Sequence, residues 1–570
     1  MNNWKKRPVS TVREAVEYNS GYSAKDIELS VCKEYDLYLD VIAHKCLCSE
    51  NIFVYGDYDA DGCTSAAILS LIFDAININY KVFLPCRFNQ GYGISYENIK
   101  DNPDYKKCDT VITIDNGIVA NECIDKIKDD KKFVIIMDHH AASDDAELPN
   151  AELLVDPIAE SGTYYEFRDY CAAGIAYKLA EYFASINMIN EHTLNKCAVM
   201  AMIGTIGDVV PLIADNRKIV MNGLEILKKK TNTFQKDFLE KHININPRTT
   251  AEDIAFNLVP MINAPGRMIE NGAMRLYELM MDILNAETEE KFIEKNIEER
   301  LVSFKDINSE RKKLCKEFQK KAYEDYLKLP EMNPVVIKTA APEGILGIIA
   351  GGLAEIIKKT VFVFGKTKNE LLKGSARSFG DFHIKNYMNR HKDCFIKYGG
   401  HANAGGYTAD DDGYKKLFEI ATSEITKEDT ETNNVIYYDL DVEEGSLLSA
   451  YTNAEAFEPY GEGFPAPIIR TKISLVPKNK VLYAALGEDK STLKLNGNNI
   501  KVLGFGMYKK FIEMGTPLVV DVIGSLHINY YKGKEELQLN LIDFKPVVKE
   551  KKENELLYLI NRKVKEKNFK

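Results

Sequence analysis

The chain has 570 residues, a length that predicts about three or four domains. Hydrophobic residues make up 45% of it and charged residues 28%, which indicates a globular protein with an ample core, and no apolar stretch reaches the ~18 residues of a membrane span. The net charge of −11 argues against a nonspecific coat for nucleic acid, but it does not exclude a nuclease whose basic residues line one groove.

The first 50 residues are predicted to form a small helical lead-in. They contain no apolar segment of the kind that forms the core of a secretion signal. The 11 cysteines are odd in number, lie mostly in apolar contexts and include no Cys-x-x-Cys pair, so we interpret them as reduced thiols. Both observations predict a cytoplasmic protein.

Residues 51–285 are assigned to a first α/β domain, because short apolar strands alternate there with helical patterns, as in a parallel sheet. The predicted strands at residues 51–55, 110–114 and 133–137 each lead into acidic or imidazole side chains. A later apolar stretch at residues 199–203, grouped with these strand ends, leads into one more acid. The side chains that follow these stretches are Asp57, Asp59, Asp115, Asp138, His139, His140 and Asp208.

Ligands of an open α/β sheet bind just past the carboxyl ends of its strands, where these side chains lie. Alternate residues of an extended segment share a face, so Asp57 and Asp59 can point the same way, and two such carboxylates repel unless a cation lies between them. Taken singly, each acid could cap a helix and the histidines could belong to a surface turn. Together they predict a binuclear site whose oxygen and imidazole ligands suit Mn²⁺ or Mg²⁺.

The remainder of the chain divides by pattern. No glycine or proline interrupts residues 286–327, which predicts one long connecting helix or two helices with an undetected break. A second α/β unit follows, then a turn-rich junction, then five short strands with a helical insert that indicate a small β domain, then a locally basic end. The corresponding ranges are 286–330 for the connecting helix, 331–430 for the second α/β unit, 431–465 for the linker, 466–545 for the β domain and 546–570 for a basic terminal helix or tail.

Several motifs resemble those of the DHH phosphoesterases in order and spacing: Asp-Tyr-Asp-Ala-Asp-Gly at 57–62, Ile-Asp-Asn-Gly at 114–117, Asp-His-His at 138–140 and Gly-Asp-Val-Val-Pro-Leu at 207–212. Residues 399–406 resemble the Gly-Gly-His motif of the associated DHHA1 domain. Within this superfamily, roughly residues 50 to 545 are similar to the RecJ-type exonucleases. The resemblance implies an α/β fold with a parallel-sheet DHH domain and a smaller DHHA1 domain joined by a long helix, followed by an OB-like β-barrel.

We hypothesise that five of these side chains are metal ligands: Asp57, Asp59, Asp115, His139 and Asp208. The resemblance implies that Asp115 bridges the two ions. Asp138 would orient a ligand, and His140 would touch the substrate or assist the leaving group. Asp61 could belong to the site or only cap the following helix, and Asp156 is explained by its turn before a proline.

The resemblance also implies a substrate-binding wall in the DHHA1 domain. His401, which follows Gly400, is expected to point across the cleft at the scissile phosphate. Ser375 and Arg377 share a face if they are extended, and together they offer a hydroxyl and a guanidinium fork to a terminal phosphate. Arg87, Asn263 and Arg267 are expected to complete a pocket for the 5′ end.

Three short segments depart from the family pattern. Residues 341–343 read Ala-Pro-Glu where relatives often carry Trp or His, Gly352 stands where Arg or Lys is usual, and residues 171–174 are atypical. These departures are expected to weaken or alter contacts with DNA. They leave the predicted metal ligands untouched.

The predicted function is 5′→3′ exonuclease activity on single-stranded DNA, with two Mn²⁺ or Mg²⁺ ions and 5′-mononucleotide products, in DNA repair and recombination. A monomer is expected, with a helicase or single-strand-binding protein as possible partners and no membrane. The alternatives are a phosphodiesterase for nanoRNA or cyclic dinucleotides, a non-catalytic single-strand-binding relative and an inorganic pyrophosphatase. An OB-like domain favours a polymer, because such a fold binds strands by stacking and backbone charge.

Overall fold

A computed structural model describes residues 3–23, 36–91, 93–142, 147–159, 167–229, 245–286, 288–366, 371–424, 435–487, 489–531 and 533–547. The chain forms two compact units, one made of Leu29–Asn433 and the other of Met1–Glu28 with Asn434–Lys570. Most of the predicted basic terminal helix or tail, from residue 548 onward, lies outside the described residues. Among the described helices, none has the length and apolar character needed to cross a membrane.

The strands are β1 Asn3–Lys6, β2 Asn51–Tyr55, β3 Asn79–Phe83, β4 Thr110–Ile114, β5 Phe133–Met137, β6 Leu153–Val155, β7 Val335–Thr339, β8 Val361–Lys366, β9 Leu372–Arg377, β10 Lys397–Gly400, β11 Ala404–Ala409, β12 Val435–Tyr438, β13 Leu440–Asp441, β14 Ile469–Ser474, β15 Tyr483–Leu486, β16 Thr492–Asn496, β17 Lys501–Gly504, β18 Val519–Tyr531 and β19 Lys534–Pro546. The α-helices are α1 Val12–Ser20, α2 Asp36–Cys48, α3 Ala60–Ala75, α4 Tyr96–Ile99, α5 Pro103–Lys107, α6 Asn121–Asp129, α7 Ala172–Ser185, α8 Glu191–Gly207, α9 Ala214–Lys228, α10 Ala251–Asp253, α11 Val259–Met268, α12 Gly272–Asn285, α13 Glu289–Glu294, α14 Ile297–Tyr326, α15 Leu346–Ile357, α16 Ile384–Arg390, α17 Asp411–Ser423, α18 Leu447–Glu455 and α19 Tyr508–Glu513. A π-helical turn at Ile254–Leu258 and 3₁₀ turns at Glu343–Ile345, Lys392–Cys394 and Glu444–Ser446 complete the set.

The larger unit begins with a parallel sheet in the order β3-β2-β4-β5-β6. Its central strands are short apolar runs, and β4 is buried along its whole length. Such a sheet is covered on both faces. Helix α3 is accordingly buried at every position from Ala60 to Phe73, and it packs against α7 and α8. Because all five strands are parallel, the residues that follow β2, β4 and β5 come together at one edge.

Residues 286–327 contain two helices, which confirms the second of the two alternatives for this segment. A single helix over residues 286–327 is wrong, since α13 ends at Glu294 and α14 begins at Ile297. Asn296 separates them with a left-handed backbone, φ 49°. Asparagine is one of the few residues that adopt this conformation readily, so the break needs neither glycine nor proline.

The second sheet of this unit is mixed, in the order β10-β11-β9-β8-β7, with β7 and β8 parallel and the other pairs antiparallel. Its core contains Phe362, Phe364 and Tyr407. Gly374 of β9 faces this core, where a Cβ would lie 1.9 Å from the ring of Tyr407. The neighbouring residues of β9 therefore face the opposite side.

The smaller unit is built on a seven-stranded sheet in the order β13-β14-β18-β19-β17-β16-β15. The five strands predicted for the β domain and the helical insert are present, but β13 and β15 were missed. The segment at residues 1–50 also differs from a purely helical lead-in, because β1 pairs in parallel with β12, which lies in the predicted linker. Val9 and Ala15 share a buried cluster with Leu447 and Tyr451, so residues 3–20 belong to this unit, whereas α2 belongs to the larger one.

Candidate active site

The acids and histidines that follow the strands meet at one edge of the parallel sheet. Their ligand atoms form three overlapping groups, each with all atoms within 4.8 Å of one another. These groups are Asp115, Asp138, His139 and His140; Asp61, His139 and Asp208; and Asp57, Asp59 and Asp115. The structure thus brings together all five side chains predicted as metal ligands, and it adds Asp61 to them.

His139 lies at the centre of this cluster. Its Nε2 is 3.1 Å from Asp115 Oδ1 and 3.6 Å from Asp61 Oδ2, and its Nδ1 is 3.6 Å from Asp208 Oδ2. Burial and the neighbouring His140 lower the pKa of His139 to about 3. The imidazole is therefore neutral at pH 7 and keeps a lone pair for a metal ion.

The buried acids of the cluster need a cation. Burial and the charge of Asp59 raise the pKa of Asp57 to about 8, and burial and neighbouring aspartates raise the pKa values of Asp115 and Asp208. Asp57 Oδ1 is buried without a hydrogen-bond partner among the described residues. A divalent ion would satisfy this oxygen and remove the mutual repulsion, so the residues present fit Mn²⁺ or Mg²⁺.

Asp115 occupies a strained backbone position. Its φ is 64°, in the left-handed region that residues other than glycine seldom adopt, while its N–H donates to Met137 O at 3.0 Å. Such strain is common where the surrounding structure fixes a functional side chain. Here it holds the Asp115 carboxylate at the junction of two ligand groups.

Asp138 holds the second histidine rather than the first. Its carboxylate accepts hydrogen bonds from the N–H groups of Ile118, His139 and His140, and its Oδ1 is 2.7 Å from His140 Nδ1. Burial alone would lower the pKa of His140, but the hydrogen bond and charge of Asp138 outweigh it and raise this pKa to about 9. His140 is therefore a fixed cation beside the predicted metal site.

The acid of the first motif that caps the following helix is Asp59 and not Asp61. Asp59 is the cap of α3, since its Oδ1 accepts from the N–H groups of Asp61 and Gly62. The Asp61 carboxylate instead accepts from the N–H groups of Ala172 and Ala173, at 2.7 and 2.8 Å. The atypical segment at residues 171–174 is thus the start of α7, and it holds Asp61 against His139.

Asp208 reaches the cluster from a helix. Grouping residues 199–203 with the strand ends was wrong, because they lie within α8, and Asp208 follows the end of that helix. Short apolar runs do not distinguish a buried strand from a buried helix by pattern alone. The acid arrives at the same edge of the sheet because α8 packs along α3.

Asp156 is a buried acid whose environment the sequence did not reveal. Its Oδ1 accepts from the N–H groups of Ile158 and Ala159, as a turn explains, but its Oδ2 has no hydrogen-bond partner among the described residues. Burial, opposed in part by these hydrogen bonds, raises its pKa to about 7. The sequence signal for this burial was the apolar run Leu153–Val155, which directly precedes Asp156.

His401 faces the cluster from the second sheet. Its ring stacks on that of His140, with centroids 6.2 Å apart and an angle of 14° between the planes. Gly400 before it has a φ of 143°, and a Cβ there would lie 2.3 Å from Ala404 O. Only glycine fits this close turn.

A group of arginines lies between the two sheets of the larger unit. The Nη1 atoms of Arg87 and Arg267 each lie 3.5 Å from Gly344 O, and Arg377 Nη1 donates to Ser375 Oγ at 3.0 Å. Burial and the charge of Arg87 lower the pKa of Arg267 to about 10 and also lower the pKa of Arg377. Among the described residues none of the three forms a salt bridge with a carboxylate, so the group suits an anionic ligand.

Two further sequence features have structural explanations. Asn263, predicted at the mouth of the phosphate pocket, accepts a hydrogen bond from the N–H of Ala60 at 2.9 Å and so ties α11 to α3. At Gly352, a Cβ would lie 2.1 Å from Nε2 of Gln319, which donates to Ile348 O. Glycine at this position therefore leaves room for the side chain of Gln319, on α14, to bind the backbone of α15.

Family models match three parts of the chain. The N-terminal domain of the DHH family matches residues 51–205, the DHHA1 domain residues 332–427 and the RecJ OB domain residues 439–543.

Similar proteins cover most of the chain. The single-stranded-DNA-specific exonuclease RecJ of Bacillus subtilis is 28% identical over 87% of this chain, which spans only 61% of the length of that relative. The RecJ proteins of Haemophilus influenzae and Escherichia coli are 24% and 26% identical, over 87% of this chain and 87% of theirs.

Among solved structures, Thermus thermophilus RecJ in complex with Mn²⁺ matches with a TM-score of 0.72 at 22% identity, over 95% of this chain and 76% of that one. The same protein in complex with Mg²⁺ matches with a TM-score of 0.67. The fold predicted from the sequence, with DHH, DHHA1 and OB domains, is confirmed. With its three domain models in this order and RecJ relatives aligned along most of its length, the chain has the DHH, DHHA1 and OB domains found in RecJ proteins and is similar to them from the first domain to the last.

Proposed function

We propose that this protein is a 5′→3′ exonuclease for single-stranded DNA that hydrolyses phosphodiester bonds with two divalent metal ions and releases 5′-mononucleotides. One observation carries the proposal: the acid and histidine cluster and the arginine group lie beside each other in one unit, close enough for the charge of Arg87 to act on Asp57, and His401 faces the cluster. Arg377 pairs in the sheet with Ala404, and Ala404 O accepts a hydrogen bond from the N–H of His401. A terminal phosphate held by Arg377 would thus place the next phosphate of the strand beside His401 and the metal ligands.

Asp57, Asp59, Asp115, His139 and Asp208 would hold the ions. When bound, two Mn²⁺ or Mg²⁺ ions supply an activated water and neutralise the charge of the phosphate. Asp61 supports His139 at 3.6 Å, and Asp115 is shared between two ligand groups. The large pKa differences within this cluster are typical of a catalytic site.

The other side chains would position the substrate. Asp138 keeps His140 protonated and oriented, so that its N–H faces a phosphate oxygen. His401 confines the phosphate from the opposite side and is aligned by the stacking on His140. The guanidinium groups of Arg87, Arg267 and Arg377, with the Ser375 hydroxyl, would bind the terminal phosphate through charge-assisted hydrogen bonds.

The OB domain and the relatives support a polymer as substrate. Enzymes for dinucleotides need only the two α/β domains, whereas this chain continues into a domain that matches the RecJ OB model. The relatives carry the name of single-stranded-DNA-specific exonucleases. An enzyme limited to single strands needs a helicase to open duplex DNA, so the proposal includes a helicase or a single-strand-binding protein as a partner. It also includes a monomeric state and a role in DNA repair and recombination in the cytoplasm.

We further propose domain limits of 51–285 for the DHH domain, 331–430 for DHHA1 and 466–545 for the OB-like domain. The matched DHH and DHHA1 models, residues 51–205 and 332–427, lie within the first two ranges. The OB model begins earlier, at residue 439, and supports adding β13 and α18 to the last domain.

The direct test is the identity of the first product. The protein is incubated with Mn²⁺ and with 5′- or 3′-labelled single-stranded DNA, RNA or dinucleotides. We expect a 5′-mononucleotide released from the 5′ end of DNA, and faster cleavage when that end carries a phosphate. Cleavage confined to dinucleotides, or release from the 3′ end, would contradict the proposal.

An Arg377→Ala variant shows whether the arginine group reads the end. It should lose the preference for a 5′-phosphate over a 5′-hydroxyl by about tenfold or more, since hydrogen bonds to charged groups contribute about 1.5–3 kcal/mol. Arg390→Ala is a matched control, because Arg390 lies at the exposed end of α16 in the same domain. An unchanged preference in Arg377→Ala would remove the pocket from the proposal.

A further inference from the structure

One face of β9 carries three polar side chains in a row, and the proposed phosphate pocket uses only two of them. Alternate residues of a strand share a face, so Lys373, Ser375 and Arg377 point to the same side. Leu372 and Ala376 on the other face are buried in the core. Lys373 therefore extends the polar face of the proposed pocket, and the proposed function gives this side chain no role.

The register of the sheet gives the order of these side chains relative to the metal ligands. Arg377 pairs with Ala404, next to the turn that carries His401, whereas Lys373 pairs with Thr408. Lys373 is four residues from Arg377, or ~13 Å along the strand at ~3.3 Å per residue. It thus lies at the outer end of the pocket, beyond the position of a terminal phosphate.

The Lys373 ammonium group is ion-paired at this position. Its partner is the carboxylate of Glu343, and both side chains are about two-thirds buried, with exposures of 35% and 28%. Glu343 directly precedes Gly344, whose carbonyl lies 3.5 Å from Nη1 of Arg87. The ion pair and the arginine group therefore border the same space.

We propose that the Lys373–Glu343 pair closes the outer end of the pocket and restricts it to a terminal monophosphate. This inference rests on the proposed 5′-phosphate site. The three arginines attract an anion, but the pair beyond them is neutral and presents a carboxylate. A second phosphate on the 5′ end would meet this carboxylate with like charge, in a partly desolvated place where repulsion is strong.

The same reasoning applies to a strand that continues past the pocket. Its next phosphate would also approach Glu343, so the pair disfavours internal segments as well as longer phosphate chains. End specificity would then have two sources: the arginines select a phosphate, and the ion pair rejects whatever follows it.

The test compares single-stranded DNA oligonucleotides that differ only in a 5′-monophosphate or a 5′-triphosphate, with kcat/KM measured for each end. Glu343→Gln removes the negative charge at nearly constant volume and leaves Lys373 as an unpaired cation. We expect the triphosphate-to-monophosphate ratio of kcat/KM to rise about tenfold or more, because a charge-assisted hydrogen bond to the added phosphate replaces a repulsion. In the double variant Glu343→Gln/Lys373→Gln this gain should shrink to the part that comes from the removed repulsion, because no cation remains there to bind the added phosphate.

Asp411→Asn is the matched control. Asp411 pairs with Lys338 at 2.6 Å in the same domain, and it is largely exposed. Removing this pair tests whether any lost ion pair in the domain changes the ratio. We expect the ratio of the unaltered protein.

The outcomes separate the two proposals. If the unaltered protein degrades monophosphate ends but Glu343→Gln, with an unchanged unfolding midpoint, keeps the original ratio, the ion pair is not an end wall and the 5′-phosphate site stands. A gain of full size in the double variant also overturns the inference, since Lys373 would then play no part. If the unaltered protein ignores the 5′ end altogether, the proposed function and this inference fall together. Should Glu343→Gln not fold, Lys373→Gln tests the idea in the opposite direction: the unpaired carboxylate should lower the ratio at least severalfold, and an unchanged ratio overturns the inference.

Discussion

At the scale of single residues, the burial of His139 determines what the cluster can bind. The imidazole is 7% exposed and its pKa is lowered to about 3, first by burial and then by His140. His140, one residue later, has its pKa raised to about 9 because it shares a hydrogen bond with Asp138. Two adjacent histidines thus provide a neutral imidazole and a fixed cation.

Asp115→Asn tests the residue at the junction of the ligand groups. Asparagine tolerates the left-handed backbone of this position, so the variant removes one charge without new strain. We expect fewer than two Mn²⁺ ions per chain after gel filtration, measured by mass spectrometry, and a turnover lowered by about 100-fold or more. Asp125→Asn, at an exposed position of α6, is the control. Two retained ions with normal turnover would show that Asp115 is not a ligand.

The sequence predicted the acids that directly follow strands but not the role of Asp61. Asp57, Asp115 and His139 follow short apolar runs rich in β-branched residues, which favour buried strands, and the position after a parallel strand is fixed by the sheet. Asp61 depends on the N–H groups of Ala172 and Ala173, which come from a helix far along the chain. No local pattern around residue 61 contains that information.

At the scale of elements, the site depends on the close packing of three helices. Helix α3 starts at the cluster of acids and histidines, α7 begins at the N–H groups that hold Asp61, and α8 ends at Asp208. They meet at Gly204, where a Cβ would lie 2.4 Å from the Cβ of Ala173 and 2.8 Å from Asp61 Oδ1. The misassigned stretch at residues 199–203 belongs to this contact, and its pattern could not reveal a helix buried on all sides.

Gly204→Ala should therefore separate these helices. Overpacking of a tight core costs about 1–3 kcal/mol, more than the ~1 kcal/mol that alanine gains over glycine within a helix. We expect a lower urea midpoint in unfolding followed by circular dichroism, together with weaker Mn²⁺ binding. Gly351→Ala is the matched control, because a Cβ in that helix meets its nearest atom at 3.7 Å. Equal midpoints in the two variants would contradict the tight contact.

At the scale of the whole molecule, the sequence indicated the order of the domains. It did not indicate that N-terminal and C-terminal residues fold together into one unit. The motifs lie in sequence along the chain, so their order could be read directly. The pairing of β1 with β12, and the hydrogen bond from Trp4 Nε1 to Asp543 at 2.8 Å, join segments from opposite ends of the chain. Such pairings depend on tertiary structure, and the short strand β1 has no distinctive pattern of its own.

The stability of the molecule should depend on pH and metal together. Burial raises the pKa values of the acids in the cluster above the ordinary aspartate value of 3.8, to about 6 for Asp61 and about 8 for Asp57. A group whose pKa is raised on folding favours the folded state while it is protonated, and this contribution is lost as the pH rises through the folded value. Metal-free protein should therefore lose stability between about pH 4 and pH 8.

Mn²⁺ should reverse this loss, because the ion replaces the protons that the acids would otherwise bind, and its affinity increases as they ionise. We expect the rise in Tm on adding Mn²⁺ to be larger at pH 8 than at pH 5, measured by thermal unfolding against a chelator control. In Asp57→Asn the metal-free protein should lose less stability over the same range, because one of the titrating acids is gone. A rise in Tm that is the same at both pH values would mean that these acids do not bind the metal.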